Sequence, residues 1–219
     1  MNHVAVLAHR PRLGEVKPNL SPALPSALTF ELYGGMLADT LEAVAGVRAQ
    51  RHLFWQGEGT ENVPRKDFRE RRQVEGDLGT RLTRVFAELL ERPGDRAVVV
   101  EADCPEITAV LLERALETLA AQDLVLGPTR DGGYYLVGLA RHAPSLFRGI
   151  DWGSDRVLEQ TFERAGEAGL SRALLPTLAD LDTPADLASL TARWLVRAED
   201  RTPNTAAVLA RIGLLPSLG

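Results

Sequence analysis

Short apolar runs alternate with amphipathic stretches of helical spacing along this 219-residue chain, and that alternation leaves few folds open. The predicted strands are His3–Ala8, Arg51–Gln56, Ala97–Val100 and Asp123–Leu126. The predicted helices between them are Ala27–Val44, Leu78–Leu90 and Thr108–Ala121. Because strands joined by helices are typical of parallel pairing, the pattern predicts an α/β fold whose mostly parallel sheet is covered by helices on both faces.

The second half of the chain contains one strand that cannot be reached through a helix. Tyr134–Leu139 follows the preceding strand too closely for a helical crossover, so we expect it to be antiparallel. A helix is predicted from Ser154 to about Ala168, and Ala173–Leu181 is predicted to be extended. Thr183-Pro184-Ala185-Asp186 has the pattern of a helix start, and helices are expected from about residue 184 onward. We expect residues 1–219 to form a single domain.

Composition and short patterns exclude several classes of protein. A single cysteine, Cys104, excludes an intramolecular disulfide and any zinc or iron–sulfur site that needs several cysteines. The net charge of −5 argues against a broad nucleic-acid-binding surface. No apolar run approaches the ~18 residues of a membrane span, and the first residues lack the pattern of a signal peptide, so we expect a cytoplasmic protein. The phosphate-binding patterns GxGxxG and GxxxxGKS/T are absent.

Asp103 comes shortly after Ala97–Val100, the most strand-like run of the chain. Ligands of open α/β sheets bind beyond the carboxyl ends of the strands, so we expect Asp103 at the binding crevice. A carboxylate there can hold a divalent cation through oxygen, and the cation can in turn hold a diphosphate. Alternatively, Asp103 only caps the turn that follows it.

Asp180 and Asp182 stand two positions apart in the segment predicted to be extended. Residues at that spacing point to the same side, so the two carboxylates would lie together directly before a helix start. Crowded acids repel each other unless a cation lies between them, which makes both residues candidate metal ligands. The alternative is that Asp182 is simply part of the helix start, where Asp is favoured.

The segment Asp131-Gly132-Gly133-Tyr134 joins two predicted strands. Paired glycines permit positive φ and a close approach of the backbone to a ligand. Asp131 stands at the rim of this turn and is a candidate catalytic residue. Because Asp-Gly is also a common signal for a tight turn between strands, a purely structural explanation stays open.

Two further segments could meet a ligand at the same crevice. Arg10, Arg12 and Lys17 lie in the loop after the first strand, where basic groups and backbone amides could bind phosphates. Gln73 and Asp77 precede a predicted helix, whose amino terminus could bind an anion or a sugar hydroxyl. The plainer explanations are a solvated surface loop and a helix cap at Asp77.

Taken in order, these segments resemble one family. They are the basic N-terminal loop, Gln73…Gly76-Asp77-Leu78-Gly79, Asp103-Cys104-Pro105, Leu126-Gly127-Pro128…Asp131-Gly132-Gly133-Tyr134-Tyr135-Leu136, Trp152-Gly153-Ser154 and Asp180-Leu181-Asp182-Thr183-Pro184. From Val4 to about Leu190 the chain resembles a family of small bacterial proteins in the nucleotide-diphospho-sugar transferase superfamily. That family is described as a domain of unknown function (DUF2064-like) or as glycosyltransferases, and is linked in some descriptions to arsenosugar biosynthesis.

The resemblance implies a glycosyltransferase-A fold, which is Rossmann-like and binds a nucleotide or nucleotide-sugar with Mg²⁺ or Mn²⁺. It implies metal ligation by Asp103 and Asp182, with Asp180 in support. It also implies that the N-terminal loop contacts the nucleotide phosphates and that the segment from Asp131 to Leu136 lies on the acceptor or sugar side. The expected substrate-binding residues are Arg10, Arg12, Lys17, Gln73, Asp77, Gly132, Gly133, Tyr134, Trp152 and Gly153.

Three functions are compatible with these residues. The leading one is a metal-dependent transferase that acts on a nucleotide-sugar and a small-molecule acceptor. Lys17 and the cation would stabilise the departing nucleotide diphosphate, and Asp131 would orient or deprotonate the acceptor hydroxyl. The second is a nucleotidyltransferase that joins a nucleoside triphosphate to a phosphorylated small molecule.

The third function is a non-catalytic nucleotide-binding protein of the same fold. Lys17-Pro18-Asn19 stands where the family usually has Lys-Thr-Arg, so an arginine fork that could hold phosphate is missing. The sugar, the base and the acceptor are not fixed by the sequence, and a homo-oligomer stays open.

Overall fold

The computed structural model describes residues 1–58 and 67–216. The strands are β1 Asn2–His9, β2 Gln50–Gln56, β3 Arg69–Arg72, β4 Arg96–Glu101, β5 Leu124–Pro128, β6 Tyr134–Leu139 and β7 Arg172–Leu174. They form a seven-stranded sheet in the order β3-β2-β1-β4-β6-β5-β7. Every neighbouring pair is parallel except the two that involve β6, which runs antiparallel between β4 and β5. The predicted mostly parallel sheet with an antiparallel insertion is therefore confirmed.

Helices cover both faces of this sheet, as the sequence predicts. The helices are α1 Ser26–Ala45, α2 Leu78–Leu89, α3 Ala109–Thr118, α4 Val157–Glu167, α5 Pro184–Val196 and α6 Pro203–Arg211. Two buried apolar clusters result, because successive residues of a strand point to opposite faces. Val4 and Val6 of β1 join the cluster beneath α1, α3, α5 and α6, whereas Ala5 and Leu7 join the cluster beneath α2 and α4.

Three local features differ from the sequence prediction. β3 was not predicted, because its Arg-Glu-Arg-Arg sequence is exposed throughout and shows no apolar alternation. The helix expected at Ser154 begins at Val157, since the backbone N–H and hydroxyl of Ser154 both bond the carbonyl of Asp151 and close a turn first. The extended segment forms a regular strand only at β7. The polar sequence of residues 57–67 predicts a loop, and residues 59–66 of it lie outside the described part of the chain.

The carboxyl ends of β1 and β4 and the segment after β7 meet where the parallel strands end. This side of the sheet is here called its carboxyl edge. That segment first follows β5, where the N–H of Leu178 bonds the carbonyl of Pro128 at 3.1 Å. It then crosses to the end of β4, where the N–H of Leu181 bonds the carbonyl of Asp103 at 2.9 Å. These backbone bonds bring Asp180 and Asp182 beside Asp103.

The last helix is fixed to the body of the protein by a buried carboxylate on α1. Asp39 is 4% exposed and accepts hydrogen bonds from the backbone N–H groups of Asn204 and Thr205 at 2.9 and 2.8 Å. It also accepts bonds from the side chains of both residues. Asp39 thereby caps the amino terminus of α6 from another helix. Across the described residues, none of the helices has the length and apolar character needed to cross a bilayer.

Candidate functional site

Lys17 lies between the two carboxylates that the sequence assigns to a metal ion. Its Nζ is 3.3 Å from Oδ2 of Asp103 and also bonds Oδ1 of Asp182. The Lys17 side chain is 11% exposed, against 23% for Asp103 and 42% for Asp182. Burial acts to lower the pKa of Lys17, but the two carboxylates outweigh burial and raise it above its usual range. Asp103 and Asp182, far apart in sequence, therefore converge on one shared cation, and that cation is an ammonium group.

The backbone holds Lys17 in an uncommon conformation. Its φ of 48° and ψ of 52° are left-handed, and no other non-glycine residue in the described ranges has a positive φ. Such a conformation costs a residue with a Cβ about 1–2 kcal/mol. Lys17 also bonds through its carbonyl to the N–H of Leu20, which starts a short 3₁₀ turn. The left-handed backbone of Lys17 and the 3₁₀ turn that follows it thus position its ammonium group in the crevice.

Asp182 is positioned by the start of α5. Thr183 and Asp186 form a capping box, in which the Thr183 hydroxyl accepts from the N–H of Asp186 and the Asp186 carboxylate accepts from the N–H of Thr183 at 2.8 Å. The same carboxylate accepts from the N–H of Asp182 at 3.3 Å. The helix-start explanation therefore applies to Thr183 and Asp186. The Asp182 side chain remains available to the crevice.

A cavity of about 400 Å³, here called the Lys17 cavity, opens beside this cluster. Its lining comprises Leu7, His9, Glu15, Val16, Lys17, Pro18, Asn19, Tyr33, Glu101, Ala102, Asp103 and Asp182. The hydroxyl of Tyr33 accepts from the N–H of His9 at 2.8 Å and donates to the carbonyl of His9 at 3.0 Å. Burial, and then the charges of Arg81 and Lys17, lower the pKa of His9. The imidazole of His9 is therefore held neutral at the cavity wall.

A second cavity of about 170 Å³, here called the Asp131 cavity, adjoins the first. Its lining comprises Leu78, Glu101, Asp103, Thr129, Asp131, Gly133, Tyr134, Tyr135, Trp152, Gly153, Ser154, Val157, Asp180 and Asp182. Glu101, Asp103 and Asp182 line both cavities. The two cavities are therefore two halves of one cleft, with carboxyl groups where they join.

Carboxyl groups far outnumber cations in this cleft. Six of the described lining residues are Asp or Glu, and Lys17 is the one lysine or arginine among them. Burial, and then the charge of Asp103, raise the pKa of Glu101 to about 8. Burial, and then repulsion from Asp131, Asp103 and Asp182, raise the pKa of Asp180 to about 7. Protonation of Glu101 at neutral pH relieves part of this crowding, and the other carboxylates of the cleft still outnumber its one ammonium group.

The carboxylates are suited to a hard divalent cation, although they do not form a complete cage. Among residues 1–58 and 67–216, no group of three or more His, Cys, Asp or Glu side chains is arranged to hold a metal ion. The carboxylates of Asp103 and Asp182 do lie on either side of one position, which the Nζ of Lys17 occupies. Mg²⁺ in particular is often bound through one or two carboxylates, with water and substrate phosphates as its other ligands. The donor set therefore fits Mg²⁺ or Mn²⁺ brought in with a phosphate ligand.

The turn between β5 and β6 places Asp131 at the rim of the cleft. The Asp131 carboxylate accepts from the N–H of Gly133 at 3.0 Å and from the hydroxyl of Thr129. Gly132 has φ +92°, and a Cβ there would stand 2.0 Å from the carbonyl oxygen of Asp155. Only glycine fits this position, so Gly132 serves the turn and is not among the residues that line the cleft.

Aromatic side chains form the wall beyond that turn. Tyr134 and Trp152 pack edge to face with their ring centroids 6.4 Å apart, and both line the Asp131 cavity together with Gly133 and Gly153. These four residues therefore line one cavity together with Asp131.

Four predicted substrate contacts lie outside both cavities. Arg10 stacks over the ring of Trp55 at 5.3 Å, and Arg12 pairs with Glu15 at 3.5 Å on the surface. Gln73 is 6% exposed, and its amide donates to the backbone carbonyls of Ala8 and Phe54. Asp77 caps α2 by accepting from the N–H of Thr80 at 2.7 Å, the alternative that the sequence left open.

Several cleft residues were not among the sequence candidates, and three of them, Glu101, His9 and Tyr33, contribute to the electrostatics or the hydrogen bonds described above. Glu101 ends a buried strand two positions before Asp103. A carboxylate at the end of a buried strand could have been predicted to lie at the cleft for the same reason as Asp103. His9 ends β1 in the same way. Tyr33 gave no signal, because it falls within the apolar spacing of α1 and reaches the cleft only through the packing of that helix.

Comparison with known proteins places this geometry in a recognised fold. The profile of a family described as "Uncharacterized protein conserved in bacteria (DUF2064)" matches residues 40–154. A Desulfovibrio desulfuricans G20 protein described as a candidate nucleotide-diphospho-sugar transferase is 27% identical, with a TM-score of 0.87 over 97% of this chain and 96% of its own. A search of curated proteins finds no match.

Two more distant structures share the fold. CMP:2-keto-3-deoxy-manno-octonic acid synthetase, solved with CTP, is 15% identical, with a TM-score of 0.56 over 92% of this chain and 100% of its own. Rv0371c from Mycobacterium tuberculosis H37Rv, solved with manganese, is 16% identical, with a TM-score of 0.52 over 86% of this chain and 97% of its own. At these identities the likeness concerns the fold alone. The predicted nucleotide-diphospho-sugar transferase fold is confirmed.

Proposed function

The chain belongs to the DUF2064 family of uncharacterised bacterial proteins, and we propose that it is a metal-dependent transferase that acts on a nucleotide-sugar. The observation that carries the proposal is the meeting of Asp103 and Asp182 around one cation at the carboxyl edge of the sheet. Ligands of open α/β folds bind at this edge. The description of the Desulfovibrio protein, which is 27% identical over nearly the whole chain, supports the same class of substrate.

In this proposal the Lys17 cavity receives the nucleotide diphosphate. Its volume of about 400 Å³ falls within the range of small-molecule sites. A divalent cation, when bound by Asp103 and Asp182 with Asp180 in support, supplies charge neutralisation at the diphosphate. Lys17, released from the two carboxylates, then donates its ammonium hydrogens to the phosphate oxygens and stabilises the charge on the leaving group.

The Asp131 cavity receives the acceptor or the sugar. Asp131 lies at its rim and binds the acceptor hydroxyl, which it orients or deprotonates. Tyr134 and Trp152 offer apolar ring surface, and Gly133 and Gly153 let the backbone approach the ligand closely. Arg10, Arg12, Gln73 and Asp77 stay predictions as direct contacts. Of these, Arg10 and Arg12 belong to the same loop as Lys17.

The test is nucleotide-sugar binding in Mn²⁺, measured by thermal shift and calorimetry on the natural protein and on Asp103→Asn. A ligand present at 100 times its Kd stabilises the folded state by about 2.7 kcal/mol. We expect Asp103→Asn to abolish the Mn²⁺-dependent part of this shift. Asp200→Asn is the matched control, because Asp200 is a partly exposed residue between α5 and α6. This variant should keep the Mn²⁺-dependent shift. Metal-assisted binding that survives Asp103→Asn would remove Asp103 from its role.

A nucleotidyltransferase is the second candidate, because a structure of this fold holds CTP. Release of pyrophosphate from a nucleoside triphosphate would identify that reaction, whereas sugar transfer releases a nucleoside phosphate or diphosphate. A non-catalytic nucleotide-binding protein is the third candidate. Turnover with any nucleotide-sugar or triphosphate eliminates it.

A further inference from the structure

A third cavity, of about 560 Å³, lies at the opposite edge of the sheet from the cleft. It opens at the amino ends of β1, β2 and β3, beside the last turn of α2 and the loop that follows it. Its lining comprises Met1, His3, Gln50, His52, Arg69, Arg71, Arg84, Glu88, Leu89, Glu91, Arg92 and Asp95. His3 here and His9 at the cleft are six positions apart along β1, a distance of about 20 Å. We call this cavity the arginine groove.

The register of β2 and β3 brings cations to one face of the sheet. Arg69 pairs with His52 and Arg71 with Phe54, so both arginine side chains share the face of those two residues. The guanidinium group of Arg71 stacks over the ring of Phe54 at 5.8 Å. Arg84 reaches the same space from α2. Two elements therefore present guanidinium groups to the groove from different sides.

The acids of the groove do not balance these cations. Glu88 serves two arginines, at 3.0 Å from Arg71 and 2.8 Å from Arg84. Among the described residues, Arg69 and Arg92 make no ion pair through their guanidinium groups within the groove lining. The lining contains four arginines and three carboxylates. The balance of charge is thus opposite to that of the cleft.

Two histidines beneath the groove have unused polar atoms. Nδ1 of His3 and Nε2 of His52 are hydrogen-bonded at 3.1 Å. The other ring nitrogens, His3 Nε2 and His52 Nδ1, make no hydrogen bond among the described residues, and His3 Nε2 lies 4.0 Å from Oδ2 of Asp95. His3 is 9% exposed and His52 is 1% exposed. In the His3–His52 pair the ring that accepts has its N–H on the outer nitrogen, so this one outer nitrogen can donate to an anion in the groove, whereas the outer nitrogen of the other ring is an acceptor.

We propose that the arginine groove binds a small polyanion that carries two or more phosphate groups. The planar guanidinium fork matches the geometry of phosphate oxygens, and Arg is preferred over Lys for such contacts. Glu88 already pairs with Arg71 and Arg84, so the guanidinium groups left without an ion pair are those of Arg69 in β3 and Arg92 after α2, and an anion with several charged groups can reach both. This site lies outside the proposed cleft and does not depend on the function proposed for it.

The test is calorimetric titration with inorganic tripolyphosphate in the absence of divalent cations. We expect the natural protein to bind, and the double variant Arg69→Gln/Arg71→Gln to bind at least tenfold more weakly. Arg84→Gln, a single change on an exposed helix position, is a second variant that leaves β3 intact and weakens binding as well. Arg156→Gln/Arg164→Gln removes two exposed arginines around α4 and is the matched control, with unchanged affinity.

Two further measurements separate the groove from the cleft. Tripolyphosphate should shift the imidazole NMR signals of His3 and His52, and Lys17→Met should keep the binding. Loss of binding in Lys17→Met with no loss in the groove variants would place the anion in the cleft and overturn the proposal. Equal weakening in the control pair, or no binding up to 1 mM tripolyphosphate, would overturn it too.

Discussion

At the scale of single residues, Lys17 determines how the two carboxylates of the cleft are held. Its ammonium group bonds both Asp103 and Asp182 and so occupies the point at which these carboxylates would share a metal ion. If a divalent cation binds both carboxylates, as proposed, it must displace the ammonium group. Lysine and metal ion would then compete for one place, and the displaced ammonium group would lie close to the cavity proposed for the phosphates.

Lys17→Met tests this competition. Removal of the ammonium group leaves two carboxylates facing each other, so we expect the free energy of unfolding in a metal chelator to fall by about 1–3 kcal/mol, less than for a fully buried pair. We expect the affinity for Mn²⁺ without nucleotide to rise at least tenfold, because the competitor is gone. Calorimetry with Mn²⁺ and thermal unfolding with and without Mn²⁺ measure the two effects.

Arg12→Met is the control for that experiment. Arg12 lies on the same loop, but its guanidinium group pairs with Glu15 at the surface, at 3.5 Å. It should change neither the stability in chelator nor the affinity for Mn²⁺. If Lys17→Met binds Mn²⁺ no better than the natural protein does, the ammonium group does not hold the metal position.

At the scale of elements, the start of α5 connects helix stability to the geometry of the cleft. The capping box of Thr183 and Asp186 satisfies the first N–H groups of the helix and also holds the backbone of Asp182. A capping box is a local sequence signal, and it was predicted correctly from Thr183-Pro184-Ala185-Asp186. That the same box orients a carboxylate toward Lys17 follows only from the tertiary structure.

Thr183→Ala separates these two roles of the capping box. Loss of an N-cap hydroxyl costs about 1 kcal/mol of stability. We expect a further effect on the cleft, a severalfold weaker Mn²⁺-dependent binding of nucleotide, because Asp182 loses its fixed backbone. Chemical denaturation and calorimetry measure the two quantities on the same samples.

Thr108→Ala is the matched control, because Thr108 caps α3 with its hydroxyl accepting from the N–H of Leu111 at 3.3 Å. Its side chain lines neither cavity. The same loss of stability with unchanged nucleotide binding is expected. Equal binding losses in the two variants would show that general destabilisation, and not the position of Asp182, weakens the ligand.

At the scale of the whole molecule, the two edges of the sheet carry opposite charge. Carboxyl groups dominate the cleft at the carboxyl ends of the strands, and arginines dominate the groove at the amino ends. The net charge of −5 conceals this separation, because composition adds charges without regard to their position. One edge therefore favours a cation with its phosphate ligand, and the other favours an anion by itself.

The buried contact between α1 and α6 predicts how the C-terminal helix is held. Asp39→Ala leaves four hydrogen-bond donors of Asn204 and Thr205 without their acceptor. We expect a loss of about 3 kcal/mol and faster proteolysis after residue 200, because an unpaired buried partner is costly. Glu42→Ala removes an exposed acceptor of the same Asn204 and is the control. Similar proteolysis in both variants would contradict this role for Asp39.

The buried histidine of the groove predicts a dependence of stability on pH. Burial, and then the charges of His3, Arg71 and Arg69, lower the pKa of His52 from 6.5 to about 4. Below pH 6.5 His52 is protonated in the unfolded chain, whereas in the folded chain it stays neutral down to about pH 4. This contribution to stability is therefore fully present above pH 6.5 and is lost as the pH falls toward 4, by at most about 3 kcal/mol.

Chemical denaturation between pH 4 and 7 measures this effect. His52→Gln should flatten the decline in the free energy of unfolding, since the glutamine does not titrate. His142→Gln, at an exposed position, should leave the decline as it is. An unchanged slope in His52→Gln would mean that other groups cause the acid sensitivity.

The accuracy of the sequence predictions follows the range of the interactions involved. α1, α2 and β6 were predicted to within a residue or two, because apolar periodicity records which face of an element is buried. β3 was not predicted, because its four residues are charged and its pairing with β2 depends on backbone hydrogen bonds, which any sequence can make. Gln73 stays a prediction as a ligand contact, and its buried amide bonds two backbone carbonyls, which sequence alone does not reveal.

The amino-acid sequence by itself determined the alternation of elements, the parallel sheet, and which edge of it carries Asp103. These depend on periodicity and on the short connections between successive elements, both of which are local. Only the tertiary structure decided that Lys17 lies between those carboxylates, that Glu101 joins two cavities, and that four arginines face a histidine pair at the far edge. Those contacts join residues as many as 165 positions apart, and packing in three dimensions brings them together.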